Sequence, residues 1–134
     1  MPSAAAKKIR PKYLSLPAIL FQIRLPVAGW VSILHRISGA WLVLPFAAWL
    51  LYLLDASLAS EQGFAHVKAY LQLPLAKAGM LVFIWALCHH FCAGIRYLLL
   101  DVHVGVDMPA ARWSSVAVIA GGLLLTAFFG ARLW

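Results

Sequence analysis

Formal charges punctuate this chain at intervals that define its elements. None occurs between Arg36 and Asp55, between Lys77 and Arg96, or between Arg112 and Arg132, and the residues inside each window are mostly apolar. About 20 such residues in a helix cross a hydrocarbon core about 30 Å thick. The pattern predicts an all-α integral membrane protein, a single domain over 1–134, with transmembrane helices at about 30–54, 75–100 and 113–132. Residues 1–29 are expected to form a cytoplasmic interfacial segment. Pro45 and Pro74 fit this reading, because a membrane helix tolerates proline where neighbours satisfy the freed carbonyl, and a helix start has no use for its missing N–H.

Composition closes off the alternatives. Of 134 residues, 64% are apolar and 11% charged, whereas soluble domains carry about 45–50% and about 25%. So short a chain cannot enclose that apolar excess, since small domains bury only about two-thirds of their surface. Two cysteines exclude a Cys-rich iron–sulfur or zinc module. Without a Gly-rich phosphate loop ahead of a helix, a self-contained nucleotide or flavin domain is not expected. No internal repeat supports a transporter built from paired halves.

The net charge of +7 reads as topology rather than as nucleic-acid binding. Eight of the eleven basic residues (Lys7, Lys8, Arg10, Lys12, Arg24, Arg36, Arg96 and Arg112) fall on the side of the amino terminus and the second connection, against Lys68, Lys77 and Arg132 opposite. The positive-inside rule then places the amino terminus in the cytoplasm and the carboxyl terminus outside. The basic start followed by apolar residues 14–23 resembles a signal peptide, but it runs into Arg24-Leu-Pro with no small-residue cleavage site, so it is expected to be retained.

Ionisable side chains within spans are costly and mark functional sites. The first group is Ser32-Ile-Leu-His35-Arg36-Ile-Ser-Gly39. Helical periodicity puts Ser32, His35, Arg36 and Gly39 on one face, a stripe suited to an anionic or carbonyl-bearing ligand at the cytoplasmic edge. The alternative is that Arg36 snorkels to headgroups and His35 caps an interfacial helix.

The second group is His89-His90-Phe-Cys-Ala-Gly94-Ile-Arg96-Tyr97. His90, Gly94 and Tyr97 lie within about 40° of one another on a helical wheel. A glycine one turn from an imidazole leaves a flat space along the helix, as a porphyrin requires, and imidazole is a common axial ligand of haem iron. A buried hydrogen-bonding histidine and a proton relay are the other readings of His90. His89 points about 100° away and is expected to be structural, as are Cys88 and Cys92. Asp101, His103 and Asp107 lie in the cytoplasmic connection, solvated or admitting protons; His66 has no evident role.

Depth separates the two groups. If the first helix enters near Trp30, His35 lies roughly 8 Å inside the boundary, and His90, counted back from Asp101, roughly 16 Å. His35 is then a poor second ligand for an iron on His90 and is better placed, with Arg36, to meet haem propionates. The second ligand would come from another chain.

The first run, followed about fifty residues later by His90-x-x-x-Gly94-Ile-Arg96 and Asp101, resembles the cytochrome b large membrane-anchor subunit of succinate dehydrogenase, respiratory complex II. The resemblance extends over about residues 9–134 and includes the Arg10-Pro11 start. It implies a heterotetramer in a bacterial cytoplasmic membrane. A flavoprotein subunit and an iron–sulfur subunit hold the FAD and clusters, and a second membrane-anchor subunit shares haem b and supplies the opposite axial histidine. By position His90 matches the haem ligand, Ser32 and Arg36 the ubiquinone site, and His35 and Arg96 residues near the propionates, with Gly94 and Tyr97 in the haem surroundings. Tyr97 stands where many members carry a second histidine, and Lys12-Tyr-Leu-Ser15 replaces the family's usual Ser-Pro-His-Leu run. A haem-free anchor or scaffold, an anchor working in the fumarate-reducing direction, and a small transporter component are the competing readings.

Overall fold

The structure, a computed structural model, describes residues 25–133. The basic start, the Arg10-Pro11 segment and most of the expected interfacial segment lie outside the described residues. Within them the chain is helical, with no strand. Helix α1 (Val27–Trp41) passes through a π turn (Leu42–Phe46) into α2 (Ala47–Leu58). A short helix α3 (Glu61–Gln72) follows, then α4 (Pro74–Asp101) and α5 (Met108–Gly130), which ends in a 3-10 turn (Ala131–Leu133).

Among the described residues, three continuous helical stretches are long and apolar enough to cross a membrane: Val27–Leu58, Pro74–Asp101 and Met108–Leu133. They contain the three spans expected from the charge-free windows and begin up to five residues earlier. The early starts have local causes. Pro74 and Pro109 sit in the first turns of α4 and α5, where a residue without N–H forfeits no intrahelical bond. Pro26 precedes α1 in extended conformation, and its carbonyl accepts from Gly29 at 2.8 Å.

Pro45 is accommodated by the first span itself. It lies inside the π turn, and the Ala47 N–H reaches back five residues to the Leu42 carbonyl. The wider turn relieves the clash that a proline ring makes with the carbonyl four residues before it. The expected outer loop also carries an element that the apolar windows did not reveal. Ser60 caps α3, its Oγ accepting from the Gly63 N–H at 3.0 Å. Gly63 lies so close to α2 that a Cβ there would strike the Ala56 carbonyl oxygen.

The bundle core lies where α1, α4 and α5 meet, in a cluster of Val31, Ala93 and Val118 flanked by Cys92, Tyr97 and Ile119. α4 packs most extensively on α5, and next on α1. The α4–α5 seam is built from small residues: Gly122 faces the His89 backbone and Gly121 faces Cys92. Small side chains let membrane helices approach closely where lipid offers no hydrophobic drive between them. The opposite faces, including Leu87, Phe91, Ile95 and Leu98 of α4, remain exposed.

After α4 ends at Asp101, the chain turns through His103 and Gly105, both at positive φ (62° and 75°). The Val104 N–H donates to the Leu99 carbonyl at 2.9 Å and the His103 N–H to that of Leu100 at 3.0 Å, satisfying carbonyls that the last helical turn leaves open.

Candidate functional site

The two polar groups found on separate helices meet. The His35 ring on α1 stacks on the His90 ring on α4, centroids 4.2 Å apart and planes 16° from parallel, and the Tyr97 ring tilts against His35 with its centroid 5.1 Å away. His35 and His90 therefore lie at one depth, which corrects the expectation that separates them by about one and a half turns. That estimate started the first helix too late and treated the two helices as parallel rods with a common boundary. His35 is still badly oriented as a second ligand to the same iron, now because its ring lies face to face with His90 instead of opposing it nitrogen to nitrogen.

All hydrogen bonds of His90 to described residues fall on Nδ1. That atom is 3.1 Å from the His35 carbonyl oxygen and 3.3 Å from Ser38 Oγ, which itself donates to the same carbonyl at 2.9 Å. Ser38 is 1% exposed. Gly39 supplies the space: a Cβ there would stand 2.9 Å from His90 Cε1. Helical periodicity placed Gly39 on the polar face of α1 but passed over Ser38, whose signal was its place three residues after His35 in the same polar run. With Nδ1 engaged on a carbonyl, Nε2 is the nitrogen left to bind a metal, the arrangement usual for ligating histidines. The donor chemistry of His90 thus fits one axial position of a haem. No group of three or more His, Cys, Asp or Glu side chains able to hold a metal ion occurs among the described residues.

Gly94 differs from its expected use. A Cβ on it would lie 3.9 Å from His35 Nε2, so the ring beside it is that of His35. The helix 1 stripe also divides. His35, Ser38 and Gly39 face α4, whereas Arg36 is exposed and Ser32 half-buried. Arg36 makes no hydrogen bond to a described residue, leaving its guanidinium for a ligand or a neighbouring chain. An apolar cleft of about 1140 Å³ opens beside the start of α1, lined by Leu25, Pro26, Met108, Arg112 and Trp113 among others, and neither Ser32 nor Arg36 lines it.

Arg96 is buried, 6% exposed, and points to α5. Its Nε donates to Ser114 Oγ at 3.0 Å and Nη2 to the Ala111 carbonyl at 3.4 Å, and the guanidinium lies 5.3 Å from the Tyr97 ring centroid. A buried charge needs such partners. Arg96, Tyr97, His35 and His90 form a continuous row from the start of α5 to the α1 notch. Asp101, at the end of α4, is exposed and apart from this row.

His89 turns the other way, as expected. It is 3% exposed, stacks on Trp85 at 5.7 Å, and packs over Gly122. Its Nε2 is buried without a hydrogen-bond partner among the described residues. Cys88 and Cys92 are free thiols in the same helix.

Comparison with known proteins identifies the family. The family model for the succinate dehydrogenase/fumarate reductase transmembrane subunit matches residues 7–129. The chain is 35% identical over 106 residues to the succinate dehydrogenase cytochrome b556 subunit of Paracoccus denitrificans, covering 76% of this chain and 78% of that one. It is 30% identical over 119 residues to the subunit of the same name from Coxiella burnetii, covering 86% and 92%. A further relative of that name, from Rickettsia typhi, is 30% identical over 105 residues. With three helices able to span a membrane and a match over nearly all its length, the chain belongs to the family of succinate dehydrogenase/fumarate reductase transmembrane subunits.

Proposed function

We propose that this chain is the haem b-containing anchor of succinate:ubiquinone oxidoreductase in a bacterial inner membrane, and that it forms part of the ubiquinone-reducing site. The observation that carries the proposal is His90: its Nδ1 is held on the His35 carbonyl at 3.1 Å, which presents Nε2 as a ligand, in a chain whose relatives are cytochrome b556 subunits. A histidine of the second anchor subunit would hold the haem together with His90. Bound there, the haem supplies a one-electron redox centre. His35 and Tyr97 shield the ligand from water, and Arg96 fixes the cytoplasmic half of α4 against α5.

Ubiquinone takes up two electrons, delivered through the iron–sulfur subunit from succinate oxidised at the flavoprotein, and two protons, and leaves as quinol. Arg36 is exposed at the first span and uncommitted to any described residue. With Ser32, one turn earlier, it would donate hydrogen bonds to quinone oxygens as negative charge develops on them, the logic of an oxyanion site. Asp101, exposed at the end of α4, would admit protons from the cytoplasm. The relatives' names favour succinate oxidation over the reverse direction.

The test is purification of the complex in mild detergent from cells carrying either the wild-type chain or Arg36→Ala. Co-purifying flavin and a b-type reduced-minus-oxidised spectrum, with quinone reduction lost in the variant and reduction of a soluble acceptor retained, support the reading. A colourless chain without flavin, or equal loss of both activities, contradicts it.

A further inference from the structure

We infer that Ser38 and Gly39 of α1 are positioning residues that seat the His90 ring and lock its imidazole in the Nδ1–H tautomer. The inference rests on the reading of His90 as an axial ligand and deepens it.

The tautomer follows from the identity of the atoms around Nδ1. The His35 carbonyl oxygen, 3.1 Å away, can only accept. Ser38 Oγ, 3.3 Å away, has a single proton, and this is directed at the same carbonyl at 2.9 Å. Ser38 therefore turns a lone pair to Nδ1. Two acceptors converge on one nitrogen, so that nitrogen carries the hydrogen, and in the neutral ring the lone pair is on Nε2. A ligating imidazole that donates its other N–H to an acceptor is both oriented and made more basic. A more basic ligand stabilises the ferric over the ferrous state, which lowers the midpoint potential.

The seat follows from Gly39. An added Cβ would be 2.9 Å from Cε1 and 3.3 Å from Nδ1 of His90. The ring cannot give way freely, because its face is already stacked on His35. Alanine at 39 would have to push His90 away from the His35 carbonyl, and the displacement would be felt at Nε2. Ser38 is itself sealed in the α1–α4 contact, at 1% exposure, so water cannot replace its hydroxyl as an acceptor. These two residues thus select which imidazole nitrogen faces outward and where it stands.

The experiment uses the intact complex purified with Ser38→Ala, Ser38→Thr, Gly39→Ala and His90→Leu chains. Each is examined by redox titration of the b-type band and by low-spin electron paramagnetic resonance, with succinate oxidation by a soluble acceptor as the control for assembly. Ser38→Ala is expected to raise the midpoint potential and shift the low-spin g values with the control activity unchanged. Ser38→Thr, which keeps the hydroxyl, restores the wild-type potential. Gly39→Ala is expected to perturb the g values or to lose the haem signal. A potential and g values indifferent to Ser38→Ala, in a complex whose spectrum is lost with His90→Leu, overturn this inference alone. A spectrum that survives His90→Leu overturns the ligand reading beneath it as well.

Discussion

His35 and His90 hold their rings in face contact, centroids 4.2 Å apart and planes 16° from parallel, although 55 residues separate them in the chain. The contact joins the polar run on α1 to the polar run on α4. It also assigns the two histidines different work. His35 contributes its carbonyl as the acceptor for His90 Nδ1, a main-chain role that survives changes to its side chain, while its ring covers one face of His90.

A first prediction separates these roles. His35→Ala keeps the carbonyl at position 35 but removes the stacked ring. The b-type spectrum should persist in the purified complex with an altered midpoint potential, because water gains access to the ligand. Loss of the haem altogether would mean that the ring is needed for more than cover.

Arg36 is the exposed cation of the first span. Removing one charge-stabilising donor from a site of this kind typically lowers turnover by about 100-fold to 1000-fold. Arg36→Ala is therefore expected to reduce quinone reduction by about that factor, with succinate oxidation by a soluble acceptor within the wild-type range. Steady-state assays with the two acceptors, run on one preparation, check it.

His89 stands beside His90 in sequence and apart from it in space. Its Nε2 is buried without a partner among the described residues, and an unsatisfied buried polar group costs about 1–3 kcal/mol. His89→Leu should leave the haem spectrum unchanged and leave the thermal midpoint of the solubilised complex equal to or above wild type. A changed spectrum would place His89 in the haem surroundings.

Two backbone positions make predictions of opposite sign. A Cβ at Gly63 would run into the Ala56 carbonyl, so Gly63→Ala should lower the thermal midpoint by pushing α3 off α2, at a cost of about 1–3 kcal/mol. His103 occupies the left-handed region at φ 62°, where a residue with a Cβ loses about 1–2 kcal/mol. His103→Gly should raise the midpoint. Calorimetry or a thermal-shift assay on the same complex reads both.

Much of this was legible in the chain. The charge-free windows located all three spans because lipid admits so few charges that their absence alone marks a span. The motif residues His35, His90, Gly94 and Tyr97 were picked out by spacing, and the structure brings them together. What spacing did not give was relative placement between helices. A helical wheel shows which residues of one helix share a face, but the depth of His35 against His90 depends on where α1 begins and how α1 crosses α4. The wheel likewise put Arg36 and His35 on one stripe, but packing on α4 takes His35, Ser38 and Gly39 and leaves Arg36 outside. α3 escaped notice because it is too short and too polar to register as a span; its marks were the Ser60 cap and Gly63.

Ligation of haem b by His90 is tested most directly by the reduced-minus-oxidised spectrum of the purified complex carrying His90→Leu. Loss or marked alteration of the b-type band, with flavin and the iron–sulfur subunit still co-purifying, is the predicted result. A b-type band identical to wild type would contradict it.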